Sequence, residues 1–329
     1  MLRLVRAAGV GALLALGACQ STTNTLFGVG DCTLERLGET PIQTHDRLIF
    51  VTVQLDGHPA NLVVDTGADR TVLSPDAVKH LGLPPDFGHG TRTWGVGGPT
   101  AHFDARVNSF EFAGMALPLH RIAVGDLSIA PLGGSVDGVL GTDVLHWFDV
   151  DLDTPHGQMT LYRGEPCWLK APPWDEPWVA VAGVQGLRSG TQTPRTLLMP
   201  IEVDGIRTLA LLDTGSQTSA VMQPLARQAG VTIAMLRADP VVIIGGAGPA
   251  AVPVPMHRFH TLQIASWMAN DPVLPVLDLP EGVEAHAFQA QPLWHGLVGE
   301  DFLFGHRIWM SFAGWQIFIS RPASTPTHS

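Results

Sequence analysis

Apolar residues recur along the chain in short runs of strand length, separated by glycine, proline and aspartate. Residues 48–55 (LIFVTVQL) are rich in β-branched and aromatic side chains, and the Asp-Gly pair at 56–57 is a strong hairpin turn signal. Residues 60–64 then return as a second strand. Residues 74–76 (SPD) predict the start of a short helix, with Ser as cap and Pro in the first turn. The pattern predicts a mainly β protein.

The same order of elements occurs a second time. Residues 198–203 and 208–212 flank another Asp-Gly pair, and residues 223–230 match the short helix. Each copy then has a glycine-rich segment, at 93–100 and 243–249. Four matched elements, counting the closing segment described below, indicate an internal duplication.

In both copies an apolar strand delivers an aspartate. The two loops read Asp65-Thr66-Gly67-Ala68-Asp69 and Asp213-Thr214-Gly215-Ser216-Gln217. A carboxylate at the end of a buried strand is costly without partners. Matched positions in two repeats therefore predict that the two carboxylates are partners of each other. The glycine-rich segments lie at equal spacing, since Asp65 to Gly97 and Asp213 to Gly245 are both 32 residues apart.

Composition and charge favour a globular protein with a buried core and argue against one that binds nucleic acid. The chain has 329 residues, of which 45% are hydrophobic and 15% charged, so it can bury a sizeable core. The formal net charge of −11 argues against a nucleic-acid partner.

The first residues have the features of an export signal. Arg3 and Arg6 precede an apolar stretch at 7–18 that is too short to span a bilayer. Small residues before Cys19 resemble a bacterial lipobox, which implies a lipoprotein signal peptide at 1–19 and lipidation of Cys19. The alternative is an ordinary secretory peptide. Gln20 after the cysteine favours the periplasmic side of the outer membrane, with a soluble periplasmic protein expected if Cys19 is not lipidated.

Two further cysteines, Cys32 and Cys167, predict one disulfide in an exported protein. The alternative is two free buried thiols. Residues 20–46 are expected to form a tether and an N-terminal strap.

Asp-Thr-Gly after an apolar run resembles the aspartic proteases, and the first copy is most similar to the retropepsin branch. The resemblance implies a mainly β fold of two homologous β-barrel lobes, a pseudo-dimer with one short helix per lobe. The expected divisions are lobe 1 at 47–163, a linker at 164–195, lobe 2 at 196–322 and a tail at 323–329.

The resemblance also implies roles for particular residues. Asp65 and Asp213 are the catalytic pair, which activates a water. Thr66 and Thr214 are expected to hydrogen-bond across the two loops, and Gly67 and Gly215 to present backbone N–H groups to the carboxylates. The segments 137–145 and 296–303 match the closing motif of the family, whose glycines, Gly141 and Gly299, leave room for the catalytic loop.

The glycine-rich segments are expected to be flaps that close over an extended peptide or protein substrate. The residues concerned are Trp94, Gly95, Val96, Gly97 and Gly98 in the first copy, and Gly245, Gly246 and Ala247 in the second. An ordinary hairpin turn is the alternative. The mechanism implied needs no metal and no cofactor, and both aspartates in one chain predict a monomer.

The chain departs from the retropepsin pattern at three positions. Thr142 and Glu300 follow the closing glycines, where retropepsins often have Arg, and Gln217 matches Asp69. Two other functions remain open: a catalytically inactive peptide-binding or scaffold module of the cell envelope, and a lobe pair that needs a partner. The segment 246–251 fits a dinucleotide fingerprint, but prolines interrupt the helix it requires. His257 and His260 would face opposite sides of a strand, which disfavours a shared metal.

Overall fold

The computed structural model describes residues 34–128, 136–164, 171–185, 195–278 and 294–321, which belong to the compact unit Leu34–Ser329. The predicted signal peptide at 1–19, its Cys19, the pair Cys32 and Cys167, and the tail at 323–329 lie outside the described residues. Lipidation and the disulfide therefore stay predictions. Within the described ranges no helix is long and apolar enough to cross a membrane.

The first half of the chain is built of short strands. They are β1 (Arg36–Pro41), β2 (Gln43–His45), β3 (Leu48–Leu55), β4 (His58–Val64), β5 (Val72–Leu73), β6 (Pro85–Gly95), β7 (Gly98–Arg106), β8 (Phe110–Phe112), β9 (Met115–Leu117), β10 (Arg121–Val124), β11 (Gly138–Leu140), β12 (Phe148–Asp153) and β13 (Gln158–Arg163).

The second half has a matching set. Its strands are β14 (Trp178–Ala182), β15 (Val184–Gln185), β16 (Leu197–Val203), β17 (Ile206–Leu212), β18 (Ala220–Met222), β19 (Val241–Ile244), β20 (Val252–Arg258), β21 (Thr261–Ile264), β22 (Trp267–Asn270), β23 (Val273–Leu277), β24 (Gly296–Val298), β25 (Arg307–Ser311) and β26 (Gln316–Ser320).

The helices are short. They are α1 (Pro75–His80), α2 (Thr142–Leu145), α3 (Gln223–Gln228), α4 (Ile233–Ala238) and α5 (Glu300–Leu303), with one 3₁₀ turn at Thr154–His156. The expectation of one short helix per lobe undercounts them. Single-turn helices such as α2 and α5 are too short to produce a 3.6-residue pattern. Helix α4 is capped by Thr232, whose Oγ1 accepts a hydrogen bond from Met235 N.

Two sheets of ten strands show the duplication strand by strand. The first has the order β6-β7-β10-β5-β11-β4-β3-β8-β9, with β2 on β3. The second has the order β19-β20-β23-β18-β24-β17-β16-β21-β22, with β15 on β16. We call the first sheet with α1 and α2 lobe 1, and the second with α3 to α5 lobe 2. The predicted mainly β, two-lobed fold is confirmed.

The Asp-Gly turns explain the first hairpin of each lobe. Asp56 and Gly57 have φ values of 51° and 79°, and Asp204 and Gly205 have 48° and 79°. A two-residue hairpin with positive φ at both positions matches the right-handed twist of its strands. Each turn therefore fixes the register of the strand that ends in an aspartate.

A third sheet joins the halves. Its six strands have the order β1-β13-β12-β25-β26-β14, and β12 of the first half pairs with β25 of the second. Arg307 donates from Nε and Nη2 to the two carboxylate oxygens of Asp151, at 2.9 and 2.8 Å. Trp174 Nε1 donates to the same carboxylate at 3.1 Å. The linker thus supplies β14 and a buried tryptophan to this sheet rather than running free.

Candidate active site

Each aspartate stands at the end of a strand that is paired on both sides. Strand β4 runs parallel to β11 and antiparallel to β3, and the Asp65 N–H donates to Leu140 O at 3.0 Å. Strand β17 is held in the same way between β24 and β16, and Asp213 N donates to Val298 O at 3.0 Å. The carboxylates are therefore carried by backbone that the sheet fixes.

Thr66 and Thr214 link the two loops reciprocally. Thr66 Oγ1 donates to Leu212 O at 2.6 Å, and Thr214 Oγ1 donates to Val64 O at 2.7 Å. Each hydroxyl also accepts the backbone N–H of the other threonine, at 3.1 and 3.2 Å. Both threonines are fully buried. The expected cross-loop hydrogen bonds are present, and they tie the two aspartate-bearing strands to each other.

The glycines bring the two carboxylates into contact. Gly67 N donates to Asp65 Oδ1 and Gly215 N donates to Asp213 Oδ1, both at 2.9 Å. A Cβ on Gly67 would lie 2.6 Å from Asp213 Cγ, and one on Gly215 would lie 2.3 Å from Asp65 Cγ. Any side chain at either glycine would occupy the place of the opposite carboxylate, so the loops require glycine here.

The two carboxyl groups are buried, and each affects the proton affinity of the other. Burial raises the pKa of Asp65, while N–H bonds from Ala68 and Gly67 and a hydrogen bond with Asp213 oppose the rise. Burial also raises the pKa of Asp213, to well above its usual range, and the charge of Asp65 raises it further, while the backbone N–H groups of Gly215 and Ser216 oppose the rise. The pair therefore retains a proton above the pH at which an exposed aspartate would lose it.

A second pair of carboxylates, one in each lobe, accepts hydrogen bonds from the residue six positions after each aspartate of the site. Asp143 Oδ1 accepts from the backbone N and Oγ1 of Thr71 at 2.7 and 2.8 Å. Asp301 Oδ1 accepts from the backbone N and Oγ of Ser219 at 2.7 and 2.6 Å. Sequence reasoning missed these four residues. The repeat alignment contained the signal, because each hydroxyl lies six residues after the aspartate and each acid two residues after the closing glycine.

The closing glycines lie where the sequence predicts. A Cβ on Gly141 would be 2.4 Å from the carbonyl carbon of Arg70. A Cβ on Gly299 would be 2.6 Å from the carbonyl carbon of Thr218 and 2.8 Å from Ser216 O. Both glycines therefore leave space for the aspartate loops.

The glycine-rich tips of the two lobes touch each other. Val96 and Gly97 form the turn between β6, which ends with Trp94 and Gly95, and β7, which begins at Gly98. Gly97 N donates to Ala247 O at 2.8 Å, and Ala250 N donates to Gly97 O at 3.2 Å. The lobe 2 tip, residues 245–251, is longer than its counterpart.

A segment of lobe 1 at 126–128 also binds the lobe 2 tip. Ser128 N donates to Gly246 O at 2.8 Å, and Ser128 Oγ lies 3.0 Å from both Gly246 O and Ala250 O. Gly248 N donates to Asp126 O at 2.9 Å. A Cβ on Gly245 would be 1.9 Å from Ser128 O, so this contact also requires glycine. Sequence reasoning missed the role of 126–128, which no local pattern marks.

The described residues contain no group of three or more His, Cys, Asp or Glu side chains that could hold a metal ion. His257 instead lies 2.7 Å from Asp239 through Nδ1.

A protein of two similar β lobes, each bringing one Asp-Thr-Gly loop to a shared pair of carboxylates, has the architecture of the aspartic proteases. Residues 51–144 and 199–302, together more than half of the chain, each match the family model described as aspartyl protease. The chain belongs to the aspartyl protease family, with one copy of the family's unit in each lobe.

None of the curated proteins compared with the chain matches it. The solved structures that match include the aspartic proteinase from Irpex lacteus. That protein is 12% identical, over 88% of this chain and 98% of its own, with a TM-score of 0.47.

Proposed function

We propose that this protein is an aspartic endopeptidase whose single active site is the pair Asp65 and Asp213. The observation that carries the proposal is the reciprocal threonine hydrogen bonding that fixes the two carboxylates against each other. Two adjacent acids disfavour each other's ionisation, so the pairing lowers the stability of the fold. Such a pairing is expected where it serves a function.

The chemistry follows from the shared proton. Two carboxyl groups about 3 Å apart titrate as a pair that holds one proton over a wide range of pH. The ionised member removes a proton from a water between them, and that water attacks the scissile carbonyl. The protonated member donates a hydrogen bond to the carbonyl oxygen and later helps to protonate the leaving amine.

The surroundings favour one proton shared by the pair. Asp65 accepts N–H bonds from Gly67 and Ala68, both at 2.9 Å, which stabilise its charge. Burial raises the pKa of Asp213 well above its usual range and the charge of Asp65 adds to the rise, while the backbone N–H groups of Gly215 and Ser216 oppose it. One member of the pair is thus the general base and the other the acid.

The substrate we propose is an extended peptide segment of an exported protein. Apolar, partly buried side chains of the lobe 2 strands, among them Ile244, Val252 and Leu297, would favour apolar residues of the substrate. Because one chain supplies both aspartates, a monomer suffices. The location we propose remains the periplasmic side of the outer membrane, through Cys19, with soluble periplasmic protein as the alternative.

The test is cleavage of a mixed peptide library by the purified full-length protein, from about pH 4 to pH 7, where a shared proton is expected. Asp65→Asn and Asp213→Asn should each abolish cleavage. Asp76→Asn, at an exposed aspartate in the first turn of α1, is the control and should cut like the parent.

Full activity in either dyad variant would contradict the shared site and favour a dimer built from one lobe. A parent that cuts nothing at any pH but binds peptides would favour the inactive binding module instead.

A further inference from the structure

Glu300 is a third buried acid next to the site, and the proposed mechanism does not use it. It is the first residue of α5, with 1% of its surface exposed. Neither carboxylate oxygen has a hydrogen-bond partner among the described residues. A charged carboxylate in such a place is far more costly than a neutral one.

The backbone joins Glu300 to the loop that carries Asp213. Glu300 N donates to Ser216 O at 2.8 Å, three residues beyond the aspartate. In lobe 1 the matched residue is Thr142, whose N donates to Ala68 O at 2.8 Å and whose Oγ1 donates to the same oxygen at 3.0 Å. The lobes therefore make the same backbone contact, but lobe 2 places a carboxyl group where lobe 1 has a hydroxyl.

The groups that face Glu300 are acidic. They are Asp213, from the loop after β17, and Asp301, from the same helix. No lysine, arginine or histidine in the described part of the chain forms an ion pair with Glu300. Burial raises the pKa of Glu300 to about 9, and the charges of Asp213 and Asp301 add to the rise. Glu300 is therefore neutral at acid and neutral pH.

We propose that Glu300 is a positioning residue that supports the Asp213 loop as a neutral acid, and that loss of its proton ends this support. The inference rests on the proposed function, because the residue it positions is one of the two aspartates of the site. An ionised Glu300 would be a third negative charge beside Asp213 and Asp301 without a compensating cation.

The sign of the pH effect follows from linkage. The ordinary pKa of 4.5 applies to the unfolded chain and about 9 to the folded protein. The stability that the protonated group contributes is complete below about pH 4.5 and is lost as pH rises toward about 9. Glutamine has the same shape and no proton to lose, so Glu300→Gln should remove this loss.

The experiment compares the full-length parent with Glu300→Gln, Glu300→Ala and Glu111→Gln. Glu111 is an exposed glutamate on β8 and is the control. At acid pH, Glu300→Gln should keep the kcat and KM of the parent. Glu300→Ala should lower kcat about tenfold with KM unchanged, as expected for a slightly misplaced catalytic group.

Thermal unfolding of the same proteins is measured from acid to alkaline pH. Tm of Glu300→Gln should exceed that of the parent by an amount that grows with pH, while Glu111→Gln follows the parent throughout. Activity after incubation at about pH 9 and return to acid should survive better in Glu300→Gln than in the parent.

Two results would overturn the inference. One is a difference in Tm between Glu300→Gln and the parent that does not change with pH. The other is an unchanged kcat in Glu300→Ala. If the parent cleaves no peptide, the proposed function fails, and the Tm comparison still decides whether Glu300 is held as the neutral acid.

Discussion

At the scale of single residues, backbone N–H groups support both aspartates of the pair. Asp65 Oδ1 accepts from both Gly67 and Ala68, and Asp213 Oδ1 accepts from Gly215, with the backbone N–H of Ser216 also favouring the charged form of Asp213. Each N–H that points at a carboxylate favours its charged form. The repeat thus retains the geometry of a symmetric site, in which both acids have the same kind of backbone support.

The shared proton predicts a bell-shaped pH dependence of kcat/KM. Activity should fall on the acid side as the pair gains its second proton, and on the alkaline side as the pair loses its shared proton. Because burial raises the pKa of Asp213 well above the usual range, the alkaline limb should lie well above the pKa of an exposed aspartate. Initial rates at low substrate concentration measure it, and a single acid limb with a plateau above it would contradict proton sharing.

The buried threonines predict a strong loss of stability when their hydroxyls are removed. Thr66→Val would leave Leu212 O and Thr214 N without their partner, at a cost of roughly 1–3 kcal/mol. Thr214→Val should cost a similar amount, and the double variant less than the sum, since both hydroxyls belong to one network. Denaturant unfolding measures this, with Thr44→Val on exposed β2 as the control. Equal stability of Thr66→Val and that control would refute the argument.

At the scale of elements, the local pattern predicted much of each lobe. The Asp-Gly turns, the strands that lead to Asp65 and Asp213 and the helix after Ser74 all follow from neighbouring residues, and the structure has them. The residue-level contacts at Gly67 and Gly215 also followed, because the duplicated loop implied a partner for each carboxylate.

Contacts between distant elements could not be predicted in this way. The pairing of β12 with β25 and the hydrogen bonds from Ser128 to the lobe 2 tip join segments more than a hundred residues apart. Their register depends on which faces meet after each lobe has folded, and no local period encodes that. For the same reason the burial of Glu300 beside Asp213 could not be predicted, and the sequence showed this residue only as a departure from the retropepsin pattern.

The contact at Ser128 predicts a looser tip in Ser128→Ala. The hydroxyl lies 3.0 Å from Gly246 O and Ala250 O, and it accepts from Gly246 N at 3.1 Å. Its loss should raise hydrogen exchange at residues 245–251 and raise KM for peptides, since the closed tips are expected to hold the substrate. Ser266→Ala, at an exposed turn between β21 and β22, is the matched control. Unchanged exchange at the tip would show that the hydroxyl does not restrain it.

At the scale of the whole molecule, the six-stranded sheet makes the two lobes one structure. Asp151 is almost fully buried in that sheet, and its carboxylate depends on Arg307 and Trp174. Removing one partner of a buried ion pair leaves an uncompensated charge, which costs more than the intact pair contributes.

Arg307→Met should therefore destabilise the protein by about 3–5 kcal/mol and lower its Tm. Activity should fall with it, because the sheet sets the position of one lobe against the other. The control is Arg207→Met, whose side chain is 90% exposed beside Glu202 and should contribute little. If the two variants have the same Tm, the buried pair does not hold the sheet together.

The pairing of β12 with β25 also determines at what stage of synthesis the two halves of the chain can be joined. Strand β25 is made after both Asp-Thr-Gly loops, yet it lies directly against β12 from the first half of the chain. A nascent chain that has not passed residue 307 contains the first Asp-Thr-Gly loop and the second, but it lacks the strand between the halves. The emerging polypeptide would thus contain both aspartates before it has the strand that joins the two halves around them.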